Sequence, residues 1–140
     1  MRSVRANDTK PELIVRSLLH RLGYRFRLHG HVSKKLYPSS KLPGKPDIVL
    51  ASRKTAIFVH GCFWHQHGSC SKSLSPATNV EFWQAKLQRN IERDREHAQA
   101  LEAMGWRVHV VWECETRVPG QLADRLCEIL QPKGVENVNY

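Results

Sequence analysis

Apolar and polar residues along this chain follow two different periods. Ile14, Leu18 and Leu22 recur at helical spacing behind Thr9-Lys10-Pro11-Glu12, which has the form of a capping box with proline in the first turn. This predicts a first helix ending at Gly23. Tyr24, Phe26 and Leu28 then alternate with Arg25, Arg27 and His29, the pattern of a half-buried strand. From His29 to Pro46 the chain carries Gly30, Ser33, Ser39, Ser40, Gly44 and three prolines. That composition reads as a long surface loop ending in the turn Pro43-Gly44-Lys45-Pro46. Ile48-Val49-Leu50 and Ala56-Ile57-Phe58-Val59 are continuous apolar runs joined by Ser52-Arg53-Lys54, as adjacent central strands would be.

Thr78-Asn79-Val80-Glu81 has the form of a second capping box, opening a long charged helix that runs to about Met104 and stops at Gly105. Its core-facing candidates are Leu87, Ile91, Ala98 and Leu101. Arg107 to Trp112 is a predicted strand with Val108 and Val110 on one face, and Trp106 and Trp112 read as core. Leu122, Leu126, Ile129 and Leu130 mark a last amphipathic helix before Pro132, with Cys127 as a small buried apolar residue on its face. The order helix, three strands, helix, strand, helix predicts a three-layer α/β fold around a central mixed sheet of about four strands. A chain of 140 residues without repeats or linkers is expected to form one domain over residues 1–132, with a flexible tail over 133–140.

Charge narrows the partner. Lys and Arg outnumber Asp and Glu by 22 to 13, a formal net charge of +9, and the basic residues are spread through the chain. A folded domain with a basic face facing a phosphate backbone is expected. No apolar run is long enough to cross a membrane and no signal-peptide core follows the N-terminus, so a cytoplasmic, nucleoid-associated protein is expected.

In a reducing compartment cysteines read as ligands, catalytic thiols or core before they read as disulfides. Cys62, His67 and Cys70 crowd into one loop after a strand, and Cys114 ends another strand. Together they make a Cys3His set suited to a closed, structural Zn2+ site. Alternatively, Cys114 is core and the others are loop residues. His65 falls between two of these ligands, where it would be held rigidly enough to act as a general base. Pro46-Asp47 opens one strand and Val59-His60 ends its partner, the outline of a PD-(D/E)xK nuclease core. The second motif is degenerate, with Phe58-Val59-His60 where D/E-x-K would stand.

The run His60-Gly61-Cys62-Phe63-Trp64-His65-Gln66-His67 resembles the signature of the very short patch repair (Vsr) endonucleases, members of the restriction-endonuclease-like superfamily. Asp8-Thr9, Pro43-Gly44 with Pro46-Asp47, Pro76 to Thr78, Glu81-Phe82-Trp83, Asn90 with Arg93-Asp94, and Gly105-Trp106 to Trp112-Glu113-Cys114 match in order. The resemblance runs from about Arg2 to Leu130. It implies a strand-specific DNA endonuclease that nicks duplex DNA 5′ to the thymine of a T:G mismatch, as in repair of deaminated 5-methylcytosine.

The roles implied are a metal-binding carboxylate at Asp47 and a backbone-carbonyl ligand at Val59, both to a catalytic Mg2+. The general base falls on His65, with supporting positions at Glu12 and His60. Phe63, Trp64 and Trp83 match the aromatics wedged into DNA beside the mismatch. Apart from the resemblance, Glu12 is explained by its capping box, His60 by a strand end and Trp83 by packing. Two features depart from the pattern: Gly68 and Ser69 both separate His67 from Cys70, and a longer minor-groove arm before Arg2-Ser3-Val4 is not expected. A monomer acting on double-stranded DNA is expected, with mismatch-repair proteins as further candidate partners. The alternatives are a Vsr-like nuclease with another target, restriction-associated or homing-type, and a zinc DNA-binding module without catalysis.

Overall fold

The computed structural model describes residues 9–35, 37–62 and 78–130. Helix α1 (Lys10–Arg21) opens on Thr9, whose hydroxyl accepts from the Glu12 amide, and the chain leaves it through Gly23 at φ +89°. A left-handed residue after a helix favours glycine because it has no Cβ to clash. Strands β1 (Arg27–Leu28), β2 (Ile48–Leu50) and β3 (Thr55–His60) follow. Helix α2 (Val80–Ala103), strand β4 (Arg107–Trp112), a 3-10 segment (Glu113–Arg117) and helix α3 (Pro119–Leu130) complete the order.

The four strands lie in the order β1-β2-β3-β4. β1 with β2 and β2 with β3 are antiparallel; β3 and β4 are parallel, from Thr55↔Arg107 to His60↔Trp112. The mixed α/β architecture expected from the element order is present. Since side chains alternate along a strand, each strand feeds both faces of the sheet. Ile48, Leu50, Ile57 and Val111 pack with Val15 and Leu19 of α1 and with Leu122, Leu126 and Leu130 of α3. Val49 and Ala56 face the other way, onto Leu101 of α2, Trp106, Val32 and Leu42. Helices α1 and α3 thus cover one face, while α2 and the segment after β1 cover the other. Among the described residues no helix is long and apolar enough to cross a membrane.

Several expectations need correction. The strand over Tyr24–Leu28 shrinks to Arg27–Leu28, because Tyr24 and Phe26 pack against the core without joining the ladder. Residues 29–46 are more than a surface loop. Val32 and Leu42 are buried, a bridge pairs His31 with Lys41, and Leu42 donates to the Gly30 carbonyl at 2.8 Å. Thr78 does not cap α2: the helix opens at Val80 after Asn79 in the left-handed region, with no side-chain cap bond. Cys127 is half-buried rather than buried, and so is Trp112, whereas Trp106 is buried.

Candidate active site

The C-terminal end of β3 gathers polar side chains from three elements. Asp47 immediately precedes β2, and its Oδ2 accepts from the Val59 amide at 2.6 Å. The ladder explains this contact. Ile48 pairs with Ile57, so the position opposite Val59 falls on Pro46, beyond the strand, and the Asp47 carboxylate takes the place of a ladder acceptor. In an extended strand the N–H and C=O of one residue point to the same edge, so the Val59 carbonyl faces the Asp47 side too. The main-chain carbonyl of Asp47 accepts from His29 at 3.2 Å, fixing the residue from β1 as well.

His60 is the last residue of β3 and is buried. Its ring meets Trp112 edge-on at 5.4 Å and lies 5.7 Å from Phe58. Its Nδ1 stands 4.0 Å from Oδ2 of Asp94 on α2. That carboxylate can fix the tautomer and orientation of the imidazole. In the sequence Asp94 stands only within the Asn90 and Arg93-Asp94 match, which implies no role for it. Its signal was a carboxylate on a helix face that otherwise reads as core.

Glu12 lies at the same end of the sheet. Tyr24, just past α1, sits under the Arg53 guanidinium at 4.9 Å, and Arg53 donates to the Leu130 carbonyl at 2.6 Å. The C-terminal ends of α1 and α3 therefore lie at the β2–β3 turn. The N-terminal turn of α1 reaches the opposite end and packs with the Glu113–Arg117 segment that follows β4. Glu12 is buried there, with Oε2 accepting from the Thr9 hydroxyl at 3.2 Å and Oε1 from Arg16 Nη2 at 3.4 Å. Burial of a carboxylate demands such partners. The cap and a place near the site thus coexist in one residue.

Of the four expected zinc ligands, Cys62 and Cys114 are described; His67 and Cys70 lie outside the described residues, as do His65, Phe63 and Trp64. Cys62 is wholly buried, and its amide donates to Glu113 Oε1 at 3.4 Å. His60 and Trp112 are in parallel register, and each cysteine stands two positions further along. The two thiol-bearing segments therefore run side by side. Glu115 anchors the second one: its carboxylate accepts from the Trp112 amide at 2.8 Å and from Arg125 Nη1 at 2.7 Å to each oxygen. Arg125 also donates to the Val110 carbonyl, so α3 holds the end of β4 in place. Among the described residues no three His, Cys, Asp or Glu gather as a metal cluster.

Trp83 is half-buried at the start of α2 and meets Phe82 edge-on at 5.3 Å, while Phe82 is 60% exposed. The pair leaves apolar surface open next to a helix that carries Lys86, Arg89 and Arg93. Trp83 is thus less buried than Trp106, the tryptophan of the second cluster. A group with a shifted pKa lies away from this site. His109 on β4 has its pKa lowered by burial, then by Arg125 and Arg107.

A sheet whose strand ends collect a carboxylate and a paired histidine is the kind of site that phosphodiester-cutting proteins use. Residues 1–72 match the family described as DNA mismatch endonuclease Vsr. The chain is 48% identical to the type II nicking enzyme V.XorIIP of Xanthomonas oryzae, over 94% of this chain and 90% of that one. It is 39% identical to the type II nicking enzyme V.NmeAIP of Neisseria meningitidis, over 94% and 86%. To the DNA mismatch endonuclease Vsr of Escherichia coli it is 41% identical, over 89% and 73%. The chain belongs to the Vsr family of DNA endonucleases.

Proposed function

We propose that this chain nicks one strand of duplex DNA 5′ to the thymine of a T:G mismatch, opening the repair of deaminated 5-methylcytosine. The observation that carries the reading is the meeting of Asp47 with Val59 at the end of the sheet, beside His60 and Asp94. It supports a PD-(D/E)xK-type core in which Pro46-Asp47 is the first motif and the Val59 main chain replaces the second. Asp47 and the Val59 carbonyl are hard oxygen donors of the kind that suit Mg2+. When bound there, Mg2+ would supply positive charge to the scissile phosphate and the leaving oxygen. His65 takes the proton of the attacking water, and His60, steered by Asp94, supports the site with Glu12. Cys62, His67, Cys70 and Cys114 would hold a structural Zn2+, which would supply a link between the segment bearing His65 and the residues after β4. Phe63, Trp64 and Trp83 enter the base stack, where a mispaired step yields at lower cost than a matched one. The whole is read as one monomeric domain over residues 1–132.

End-labelled duplexes that differ only in a T:G or a matched pair, set in a library of flanking sequences, test this. Nicking in Mg2+, 5′ to the mispaired thymine and absent in EDTA, is the expected result. Equal nicking of the matched duplexes would favour a second reading, a nicking enzyme with another target, to which two relatives known as type II nicking enzymes lend support.

A further inference from the structure

The geometry points to His97 as a positioning residue for Asp47, acting through the turn that precedes it. This rests on the reading of Asp47 as the metal-binding carboxylate. Leu42 and Pro46 are buried, and Lys45 donates to the Leu42 carbonyl at 3.1 Å, closing a tight turn directly before Asp47. Gly30 lets the main chain after β1 approach that turn, and Gly44 within the turn leaves room for the His97 side chain. A methyl group on Gly30 would stand 2.8 Å from the Lys45 Cα and 3.4 Å from the Pro46 Cδ. One on Gly44 would stand 2.7 Å from both Cβ and Cγ of His97 and 2.9 Å from its Nδ1. The turn is thus gripped between the end of β1 and the imidazole of an α2 residue.

His97 lies one helical turn beyond Asp94, on the same face of α2. One rigid helix therefore sets two members of the site. Asp94 faces His60, and His97 seats the turn that delivers Asp47 to the Val59 amide. Loss of the ring would leave the turn without its outer wall. The Asp47 carboxylate would then drift from Val59, although the strands on either side keep their own pairing.

Amide hydrogen exchange on the 15N-labelled full chain reads this directly, because the Val59 amide reports the Asp47 contact. Hydrogen bonds to charged acceptors are strong enough that losing this one speeds exchange about tenfold or more. In His97→Ala the Val59 amide is expected to exchange at least about tenfold faster, with Ile57 and Val49 unchanged, and half-maximal nicking to need more Mg2+. His97→Phe, which keeps a planar ring on the same Cβ, is expected to restore both readouts. Gly44→Ala should disturb the same contact from the other side, and adding His97→Ala to it should cost less than His97→Ala costs alone. Unchanged Val59 exchange in His97→Ala overturns the inference. So does an equal loss of protection at Val59, Ile57 and Val49, the mark of general packing. Asp47→Asn separates the two readings: parental nicking by that variant removes the metal role from Asp47, whereas the exchange data judge the His97 contact by themselves.

Discussion

The two faces of the sheet are built on different principles. Under α1 and α3, one cluster of Val, Leu and Ile side chains joins Val15 to Leu130 without a charged group at its centre. Under α2 the helix presents Trp83, Leu87, Asn90, Asp94, His97 and Leu101 along one stripe, of which only Leu87 and Leu101 are buried apolar residues. The middle of that stripe holds the groups that meet His60 and the Asp47 turn. Removal of apolar surface from water supplies the stability on the first face, at roughly 25 cal/mol per Å² buried. The second face gives up part of that term to make room for polar chemistry. The fold is anchored on one side so that the other can be specialised.

The contrast can be broken most severely at the end of the second face. On the proposed zinc reading, chelator treatment or Cys114→Ser is expected to lower the melting temperature more than any single core truncation, since metal binding and folding are coupled in small sites. A chelated protein that melts like the untreated one would remove zinc from the account. On the first face, Leu19→Ala should cost about 2–5 kcal/mol of stability in denaturant titration, while nicking per folded molecule stays at the parental rate. Asp94→Asn should do the reverse. It should reduce nicking by about a hundredfold, the scale of lost acid–base support, with melting nearly unchanged. Were Asp94→Asn to unfold the protein instead, the carboxylate would belong to packing.

The smallest effect concerns a histidine that intrudes on the first face. His109 lies two residues before Val111 on β4 and so on the same face, and its Nε2 is buried without a hydrogen-bond partner among the described residues. Burial, Arg125 and Arg107 hold its pKa below the ordinary 6.5. Between those two values the unfolded chain binds a proton that the folded one does not, so stability falls as pH drops through 6.5 toward the lowered value. His109→Gln should flatten the melting temperature between pH 7 and pH 5 (roughly the window in which histidine titrates). An unchanged slope would show that other groups carry the acid sensitivity.

The first face was largely legible in the sequence. Thr9-Lys10-Pro11-Glu12 and Gly23 bounded α1, the apolar runs marked β2 and β3, and the bounds of β4 fell on Arg107 and Trp112. Alternation misled at Tyr24 and Phe26, because it reports which way a side chain faces and not whether the backbone has a partner strand. On the second face, periodicity marks Leu87 and Leu101, both buried, and Ile91 and Ala98, both half-buried, but leaves Asp94 and His97 unmarked. A hydrophobic template passes over polar residues on an inward stripe. Asp47 was legible as a motif; its contact with Val59 was not, because that depends on where the β2 ladder stops.

The parallel join of β3 to β4 also bears on how the molecule comes into being. β2 and β3 are linked through the turn Ala51–Lys54 and can zip locally, whereas β4 lies beyond the whole of α2. Closing so long a loop is an entropic toll that local hairpins do not face, and such pairings form late. Asp47 can meet Val59 within the β2–β3 hairpin, whereas His60 gains Trp112 and Asp94 only when the last strand and α2 have docked. In a newly made or partly unfolded copy His60 lacks Asp94 and Trp112, so the proposed site is complete only in the finished protein.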